Sequence, residues 1–165
     1  MADAVLPFTV PALQAVESTF APVETLVGTN RTKRSCAYDD TTEEYRNGKL
    51  VVPGTVNSGG TVTFRAYVWS KTAAASRNVA LRFGHRAISD SDDWDLAYTN
   101  EDIDDQAIDA TQDNVSIIEW TETVSNLGWL ADDLVGFRIS RIVATTTDLV
   151  GDMYWDFFVI EIPLL

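Results

Sequence analysis

The sequence predicts an all-β protein: an antiparallel β-sandwich domain preceded by an extended N-terminal arm. Its 165 residues are an ordinary length for one domain, and 45% of them are apolar, which is enough for a core without metals or disulfides. Several segments alternate apolar and polar residues with a period of two, as half-buried strands do. After the arm, no segment of ten or more residues has the apolar spacing of an amphipathic helix.

The predicted arm is residues 1–30, and the predicted sandwich domain is residues 31–165. The prolines of the arm exclude a long helix and a central strand, although a short helix over 11–17 is an alternative. A solvent-exposed linker would not carry so many apolar residues, so we expect the arm to pack on its own domain, on a sister subunit or on a larger assembly. The apolar side chains are those of Val5, Leu6, Phe8, Val10, Leu13, Val16 and Phe20.

The domain contains seven predicted strands, at 32–38, 43–52, 61–71, 77–88, 115–124, 134–144 and 152–162. The second strand ends at Pro53 and Gly54, and the third follows the turn sequence VNSGG. The third, fourth and sixth strands alternate, with Phe64, Phe83 and Phe137 among the residues on the core side. Seven strands with few helices favour antiparallel pairing in a sandwich.

The last strand, MYWDFFVIEI, is apolar on both faces. In an antiparallel sandwich one face of a strand usually meets water, so this strand needs cover on both sides. Alternation places Trp155 and Phe157 on one face and Phe158 on the other. The cover could come from the arm, from the chain's own loops or from a neighbouring subunit, and the last of these would make the protein a homo-oligomer.

The charge of the chain excludes one class of partner. The formal charge is −13 at pH 7, and ten of the acidic residues lie in the segment 90–113. Such a surface repels nucleic acid, so we expect neither DNA nor RNA binding. No window is long and apolar enough to span a membrane, and the N-terminus lacks the basic region of a signal peptide, so we expect a soluble protein made in the cytoplasm.

Residues with catalytic potential are few, and we expect no enzymatic activity. The only histidine, His85, falls on the inward face of its predicted strand, where a structural role is usual. The only cysteine, Cys36, cannot form an internal disulfide and is interpreted as a small buried hydrophobe. No G-x-S-x-G elbow, P-loop or G-x-G-x-x-G motif occurs in the sequence. We therefore predict no catalytic residues.

The acidic segment is the best candidate for a cation site, with Ca²⁺ as the cation. Asp90, Asp92 and Glu101 match the first, third and twelfth ligands of an EF-hand loop, but Trp94 and Asp95 replace a ligand and the required glycine. We therefore reject an EF-hand and favour a solvated acidic loop without a cofactor. A looser Ca²⁺ site would relieve the repulsion between bunched carboxylates. It would draw on Asp92, Asp93, Asp95, Asp102 or Asp104.

Aromatic residues suggest an alternative function, a carbohydrate-binding module. The candidates for stacking on sugars are Tyr67, Trp69, Trp94 and Tyr98. The competing interpretation is that Tyr67 and Trp69 cover the second face of their strand against the arm. A glycosidase would also need a pair of carboxylates, one on each side of the sugar, and an acidic chain offers such pairs by chance.

Four segments of the domain resemble the jelly-roll proteins of tailed-bacteriophage virions. They are TVTFRAYVWS, RNVALRFGHRAI, LADDLVGFRISRI and DLVGDMYWDFFVIEI. The third contains a strand pattern of that family, formed here by Asp133, Leu134, Val135, Phe137 and Arg141. The fourth contains its D-x-x-x-D hairpin, formed by Asp148 and Asp152. The resemblance extends over 62–162 and leaves the arm outside.

The resemblance implies a jelly-roll-like sandwich and a structural role in a virion, as a capsid cement or decoration protein or as a tail or baseplate appendage. Such proteins are often trimeric and bind where capsid subunits meet. We therefore predict a trimeric cement protein of the virion, made in the host cytoplasm, that contacts the major capsid protein or other virion subunits. Its predicted contacts are Val5, Leu6, Phe8, Val10, Leu13, Trp155 and Phe157. The alternative is a carbohydrate-binding module, of a tail or receptor-binding type, that depends on Ca²⁺.

Overall fold

The computed structural model of the chain describes residues 3–15, 19–30, 32–72, 77–95 and 97–165. It confirms an all-β sandwich of two antiparallel sheets. Sheet A consists of β1 (Ala4–Thr9), β3 (Val23–Val27), β4 (Thr32–Tyr38), β6 (Thr61–Ser70), β9 (Ser116–Thr123) and β11 (Met153–Ile162). Sheet B consists of β2 (Gln14–Ala15), β5 (Tyr45–Val51), β7 (Asn78–Ile88), β8 (Thr99–Ala107) and β10 (Leu134–Ile142).

The order of the strands is that of a jelly roll. Sheet A has the order β3-β4-β11-β6-β9, with β1 also paired to β11, and sheet B has the order β2-β5-β10-β7-β8. From β4 to β11 the chain crosses to the other sheet at every step except from β7 to β8. This path distributes eight strands over two four-stranded sheets, as in double Greek-key sandwiches. The predicted fold class is therefore confirmed.

Two short helical segments accompany the strands. A 3₁₀ helix at Val10–Ala12 follows β1, and α1 (Val124–Leu127) follows β9. Thr123 caps α1 by accepting a hydrogen bond from the Asn126 amide, and Gly128 ends it in the left-handed conformation. Among the described residues, no helix has the length and apolar character that crossing a membrane requires.

The first 30 residues contribute strands to both sheets and pack on their own domain. β1 pairs with residues 157–162 of β11, and β4 pairs with residues 153–155 along the same edge. Pro7 has no backbone N–H to donate. It is tolerated in β1 because this strand pairs only with β11, so no hydrogen bonds to a second neighbouring strand are lost. Val10 and Ala21 have no exposed surface and belong to the core.

The helix considered for residues 11–17 is wrong over the part that the structure describes. The 3₁₀ helix ends at Ala12, and β2 then pairs with Arg46 and its neighbour on β5; residues 16–18 lie outside the described ranges. Buried Arg46 donates hydrogen bonds to the carbonyls of Leu13, at 3.2 Å, and Ala21. Because these carbonyls accept hydrogen bonds from a side chain, the extended backbone found here is favoured over a continuing helix.

The acidic segment contains a strand that its composition did not predict. β8 pairs with β7 and forms an edge of sheet B, so the interpretation of this region as a solvated loop is wrong for residues 99–107. Acidic residues are depleted in strands, but on an edge they prevent pairing with other chains. Ile103 packs on the core, and Asp102 pairs with Arg82 on the neighbouring strand.

A β-bulge in β11 interrupts the alternation of its side chains. The register with β6 shifts between Trp155 and Phe157. Met153 and Trp155 consequently join the same core as Phe158, whereas Phe157 is 48% exposed. The placement of Trp155 and Phe157 on one face is therefore wrong, because an inserted residue moves the following side chains to the other face.

The core between the sheets is largely aromatic. The rings of Phe64 in sheet A and Phe83 in sheet B have centroids 4.8 Å apart, and those of Phe158 and Phe137 are 6.0 Å apart. Aromatic pairs at such distances contribute about 0.5–1.5 kcal/mol beyond the burial of their area. Three of these rings, those of Phe64, Phe83 and Phe137, lie on strands that the sequence predicted from their alternation.

Arg141, one of the residues of the resemblance, is a buried cation that holds the connection before β11. It is 1% exposed and pairs with Asp148 at 3.1 Å. Its guanidinium also donates to the carbonyls of Gly151, at 2.6 Å, Leu149 and, more weakly at 3.4 Å, Tyr38. Burial lowers the pKa of Arg141 and Asp148 opposes this effect. Arg141 thus has a structural role in this fold.

Candidate interaction surface

The predicted partner contacts occupy three environments. Val10 and Trp155 have no exposed surface, so their assignment as contacts is corrected: they are core residues that a partner does not reach in this fold. Three more are half-buried and pack on the core, namely Leu6, Phe8 and Leu13. Val5 and Phe157 are 56% and 48% exposed. These last two offer apolar surface to a partner.

A row of side chains crosses the outer face of sheet A at the level of Phe157. The strand registers pair Thr9 with Phe157, Phe157 with Tyr67, and Tyr67 with Ile117. Directly opposite residues of neighbouring strands have Cβ atoms about 4.5–5.5 Å apart, so Phe157, Tyr67 and Ile117 form a continuous apolar strip. Ile117 is 58% exposed, and Val115, just before β9, is 51% exposed.

In the next row of the same face, Arg65 on β6 lies opposite Glu119 on β9 and opposite Val159 on β11. Arg65 on β6 pairs with Glu119 on β9 and with Glu161 on β11, each at 2.6 Å. The hydrogen bonds that Arg65 donates to Glu161 and to Glu119 raise the pKa of its guanidinium, which keeps its charge. Partly exposed pairs of this kind contribute about 0–1 kcal/mol each to stability. They end the apolar surface on β6 and β9, whereas on the side of β1 and β11 it continues through Val159.

On its other side the apolar strip opens into a groove of about 980 Å³. Besides Tyr67 and Phe157, its lining includes residues of β3 and β4 and of the 3₁₀ helix after β1. Val27, at the end of β3, is 81% exposed, and Lys33 and Arg34 bring positive charge to the same wall. The groove therefore offers apolar surface with a charged border, as protein interfaces do.

Trp69 lies in the floor of the groove but offers almost no surface. It is 2% exposed because it stacks on Tyr154, at a centroid distance of 4.4 Å, and lies 3.6 Å beneath the Lys33 ammonium. Its indole N–H donates to Asp156 at 3.2 Å, and Lys33 pairs with the same carboxylate at 3.2 Å. Leu26, from the predicted arm, packs on this cluster. Trp69 thus covers its strand against the arm, as one of the two sequence-based interpretations expected.

The aromatic residues considered for sugar binding do not form one platform. Trp69 is buried, and Tyr67 is half-buried in the apolar strip of sheet A. Trp94 is 80% exposed in the loop after β7. Tyr98 belongs to the other side of the molecule, where its ring centroid lies 4.9 Å from the Arg138 guanidinium carbon on sheet B.

The carboxylates considered for Ca²⁺ have separate partners. Asp102 accepts two hydrogen bonds from Arg82, at 2.6 and 2.7 Å, and the guanidinium lowers the pKa of that carboxyl. Asp92 and Asp93 accept backbone amides of their own loop, the latter from Asp95 at 2.9 Å. Within the ranges that the structure describes, no group of three or more His, Cys, Asp or Glu side chains is placed to hold a metal ion.

The single histidine and the single cysteine are buried in different sheets. His85 on β7 is 3% exposed, burial lowers its pKa, and its Nε2 lies 3.9 Å from Glu101, too far for a hydrogen bond. Cys36 on β4 has no exposed surface, and burial raises the pKa of its thiol to about 11. A neutral, enclosed thiol is a poor nucleophile.

Comparisons with known proteins assign no family. No protein-family model matches the sequence, and no curated protein matches it significantly. Similar solved structures include dimeric latent PorU from Porphyromonas gingivalis, with a TM-score of 0.43, 10% identity and coverage of 98% of this chain and 12% of that chain. Tripeptidyl peptidase 2 has a TM-score of 0.44, 11% identity and coverage of 90% and 10%. A structure of infectious bursal disease virus, Gx strain, has a TM-score of 0.45, 9% identity and coverage of 98% and 33%.

The chain therefore spans a third or less of the length of these three chains. Their low identities and TM-scores carry no conclusion about function. The evidence for a function comes instead from the surface of the chain itself. Ile117 on that surface was not predicted from the sequence. A signal was present, because Ile117 and Ile118 are consecutive in a strand and must point to opposite faces, so one of them points outward.

Proposed function

We propose that this chain is a non-enzymatic structural protein of a tailed-phage virion, a cement or decoration protein that binds as a trimer where capsid subunits meet. The observation that carries the proposal is the exposed apolar strip on the outer face of sheet A. Val5 lies on the same face, two β1 rows from the Thr9 end of the strip, and adds exposed apolar area. Contiguous apolar surface on a folded domain commonly marks a protein interface.

A capsid-binding mode is consistent with an apolar strip that consists of only a few side chains. Each copy would offer a modest apolar contact, and several linked copies would bind a repeating capsid lattice far more tightly than one copy does. The partner would be the major capsid protein or another virion subunit, met after synthesis in the host cytoplasm. The resemblance of four segments to phage jelly-roll proteins supports the same assignment. The net charge of −13 would keep the outer surface of a decorated particle soluble.

The test is binding of purified protein to capsids of the same virus that lack it, measured by cosedimentation. Ile117→Asp and Phe157→Asp place a charge in the apolar strip, and we expect each to weaken binding at least about tenfold. Val143→Asp is the matched control, because Val143 is 63% exposed just after β10 and lies outside both the apolar strip and the lining of the groove. Full occupancy of capsids by the two strip variants would refute the proposal, as would an equal loss with the control.

A carbohydrate-binding module is the second candidate, favoured by the pairing of Tyr67 and Phe157 beside an open groove of about 980 Å³. Two neighbouring rings could stack on successive sugar units. This function requires a chain that binds oligosaccharides as a monomer, with or without Ca²⁺, and loses the binding in Tyr67→Ala. Calorimetric titration with a set of oligosaccharides, in Ca²⁺ and in chelator, distinguishes it from the capsid-binding proposal.

A further inference from the structure

The outer face of sheet B carries a cationic patch in a chain of strongly negative charge. Lys49 and Arg86 flank Gly136 on the two neighbouring strands, and Arg138 lies one row further along β10. At a strand spacing of about 4.8 Å, the Cα atoms of Lys49 and Arg86 are about 10 Å apart. Among the described residues, none of the ion pairs involves these three cations.

Arg138 is fixed in place without a charged partner. Its guanidinium carbon lies 4.7 Å from the ring centroid of Tyr45 and 4.9 Å from that of Tyr98, and Nη2 donates to Asn100 at 3.3 Å. The side chain can lie flat on β7 because a Cβ at Gly84 would stand only 2.8 Å from its Cγ. Since the cation is already ordered, an anionic partner binds it at a smaller entropic cost.

Gly136 leaves an opening between the cations. A Cβ at this position would meet only the hydroxyl of Tyr98, at 3.7 Å. The opening is thus bordered by the cationic patch and by one hydroxyl, which are donors that bind carboxylates well. The repulsion among three neighbouring cations would also be relieved by incoming carboxylates.

The same chain carries a segment of complementary chemistry, the loop 89–95 between β7 and β8. Trp94 is 80% exposed at its tip, and four carboxylates surround it in the sequence, those of Asp90, Asp92, Asp93 and Asp95. None of the ion pairs between described residues joins this loop to the cationic patch of its own chain. Exposed tryptophans surrounded by charge are frequent anchors of protein interfaces.

We infer that the loop 89–95 of one copy docks on the cationic patch of the next copy. The aspartates would meet Lys49, Arg86 and Arg138, and the Trp94 ring would lie against the tyrosines that hold Arg138. Because the loop and the patch consist of different residues, the contact is heterologous, and a three-fold rotation between copies closes it into a ring. The number of copies, three, rests on the proposed function, while the contact itself does not.

The test is sedimentation velocity of the full chain over a range of concentrations. We expect a wild-type trimer near three times 18.2 kDa, and a rise of at least about tenfold in the dissociation constant for Arg138→Glu and for Trp94→Ala. Arg77→Glu is the matched control, since it makes the same charge change just before β7, at the end of that strand away from Arg86, and should leave association unchanged. A chain with both faces reversed, Arg86→Glu and Arg138→Glu together with Asp92→Arg and Asp93→Arg, should associate again.

The inference is overturned if the wild type stays monomeric at millimolar concentration, or if Arg138→Glu and Trp94→Ala associate like the wild type. It is also overturned if the doubly reversed chain is folded, as judged by circular dichroism, but does not associate. Loss of oligosaccharide binding in Arg138→Glu with unchanged association would overturn it as well. Failure of the proposed function is a separate outcome: strip variants such as Phe157→Asp would then bind capsids normally while association still depends on Arg138.

Discussion

The indole N–H of Trp155 donates a hydrogen bond to the carbonyl of Phe157 at 2.9 Å, although the two side chains lie on opposite sides of sheet A. This bond satisfies a carbonyl within the β-bulge of β11. The bulge lets one strand supply both a core residue, Trp155, and an exposed residue of the apolar strip, Phe157. A substitution at Trp155 should therefore lower stability, whereas a substitution at Phe157 should weaken binding.

The first prediction compares alanine substitutions at the two positions. Trp155→Ala leaves a large cavity in a fully buried site and should cost about 3–5 kcal/mol of unfolding free energy. Phe157→Ala removes a ring that is 48% exposed and should cost less than about 1 kcal/mol. Urea denaturation followed by circular dichroism measures both values. Equal costs would show that the bulge does not divide the strand in this way.

The second prediction concerns the N-terminal segment. Val10→Asp places an unpaired charge in the core and should destabilise the fold by several kcal/mol. Val5→Asp, on the exposed side of β1, should change stability by no more than about 0.5 kcal/mol. Thermal unfolding of the two variants is the measurement. If Val10→Asp melted at the wild-type temperature, the segment would not be packed on the core in solution.

The third prediction contrasts two arginines that each pair with carboxylates. Arg141 is 1% exposed, so Arg141→Ala leaves Asp148 without its cation and removes a donor from several carbonyls, and it should cost about 3–5 kcal/mol. Arg65 pairs with Glu119 and Glu161 on a partly exposed face, and Arg65→Ala should cost about 0–1 kcal/mol. Chemical denaturation distinguishes them. Similar costs would argue against burial as the deciding factor.

The fourth prediction is a pH dependence that comes from His85. Burial lowers the pKa of His85 in the folded state below its ordinary value of 6.5, so the unfolded chain binds the proton more readily. Stability is therefore complete above pH 6.5 and falls as the pH drops through that value towards the lower folded pKa. The unfolding free energy measured between pH 8 and pH 5 should decline more steeply in the wild type than in His85→Gln. Parallel curves would exclude His85 as the source.

Much of the sandwich follows from the local sequence. The strand at 61–70 and the strand at 134–142 alternate strictly, and their buried faces hold Phe64 and Phe137 as expected. β8 was missed because its acidic composition disfavours a strand everywhere except at an edge. Whether a segment lies at an edge depends on the pairing of distant strands, which composition does not contain.

The candidate surface depended even more on tertiary structure. Of the predicted contacts, Phe157 is exposed, whereas Trp155 and Val10 are buried, because a bulge and a long-range pairing with β11 decide their burial. The cationic patch joins Lys49, Arg86 and Arg138 from three strands far apart in the chain. A sequence motif cannot show such a cluster.

By itself the sequence determined that the chain forms an all-β sandwich, that its net charge is −13, and which strands carry the core. These properties depend on composition and on a two-residue period, which are local. Only the tertiary structure decided that the first 30 residues supply strands to both sheets, that Trp155 and Phe157 part at a bulge, and that cations gather on sheet B. Those outcomes depend on register between strands, and register is fixed by the packing of the whole domain.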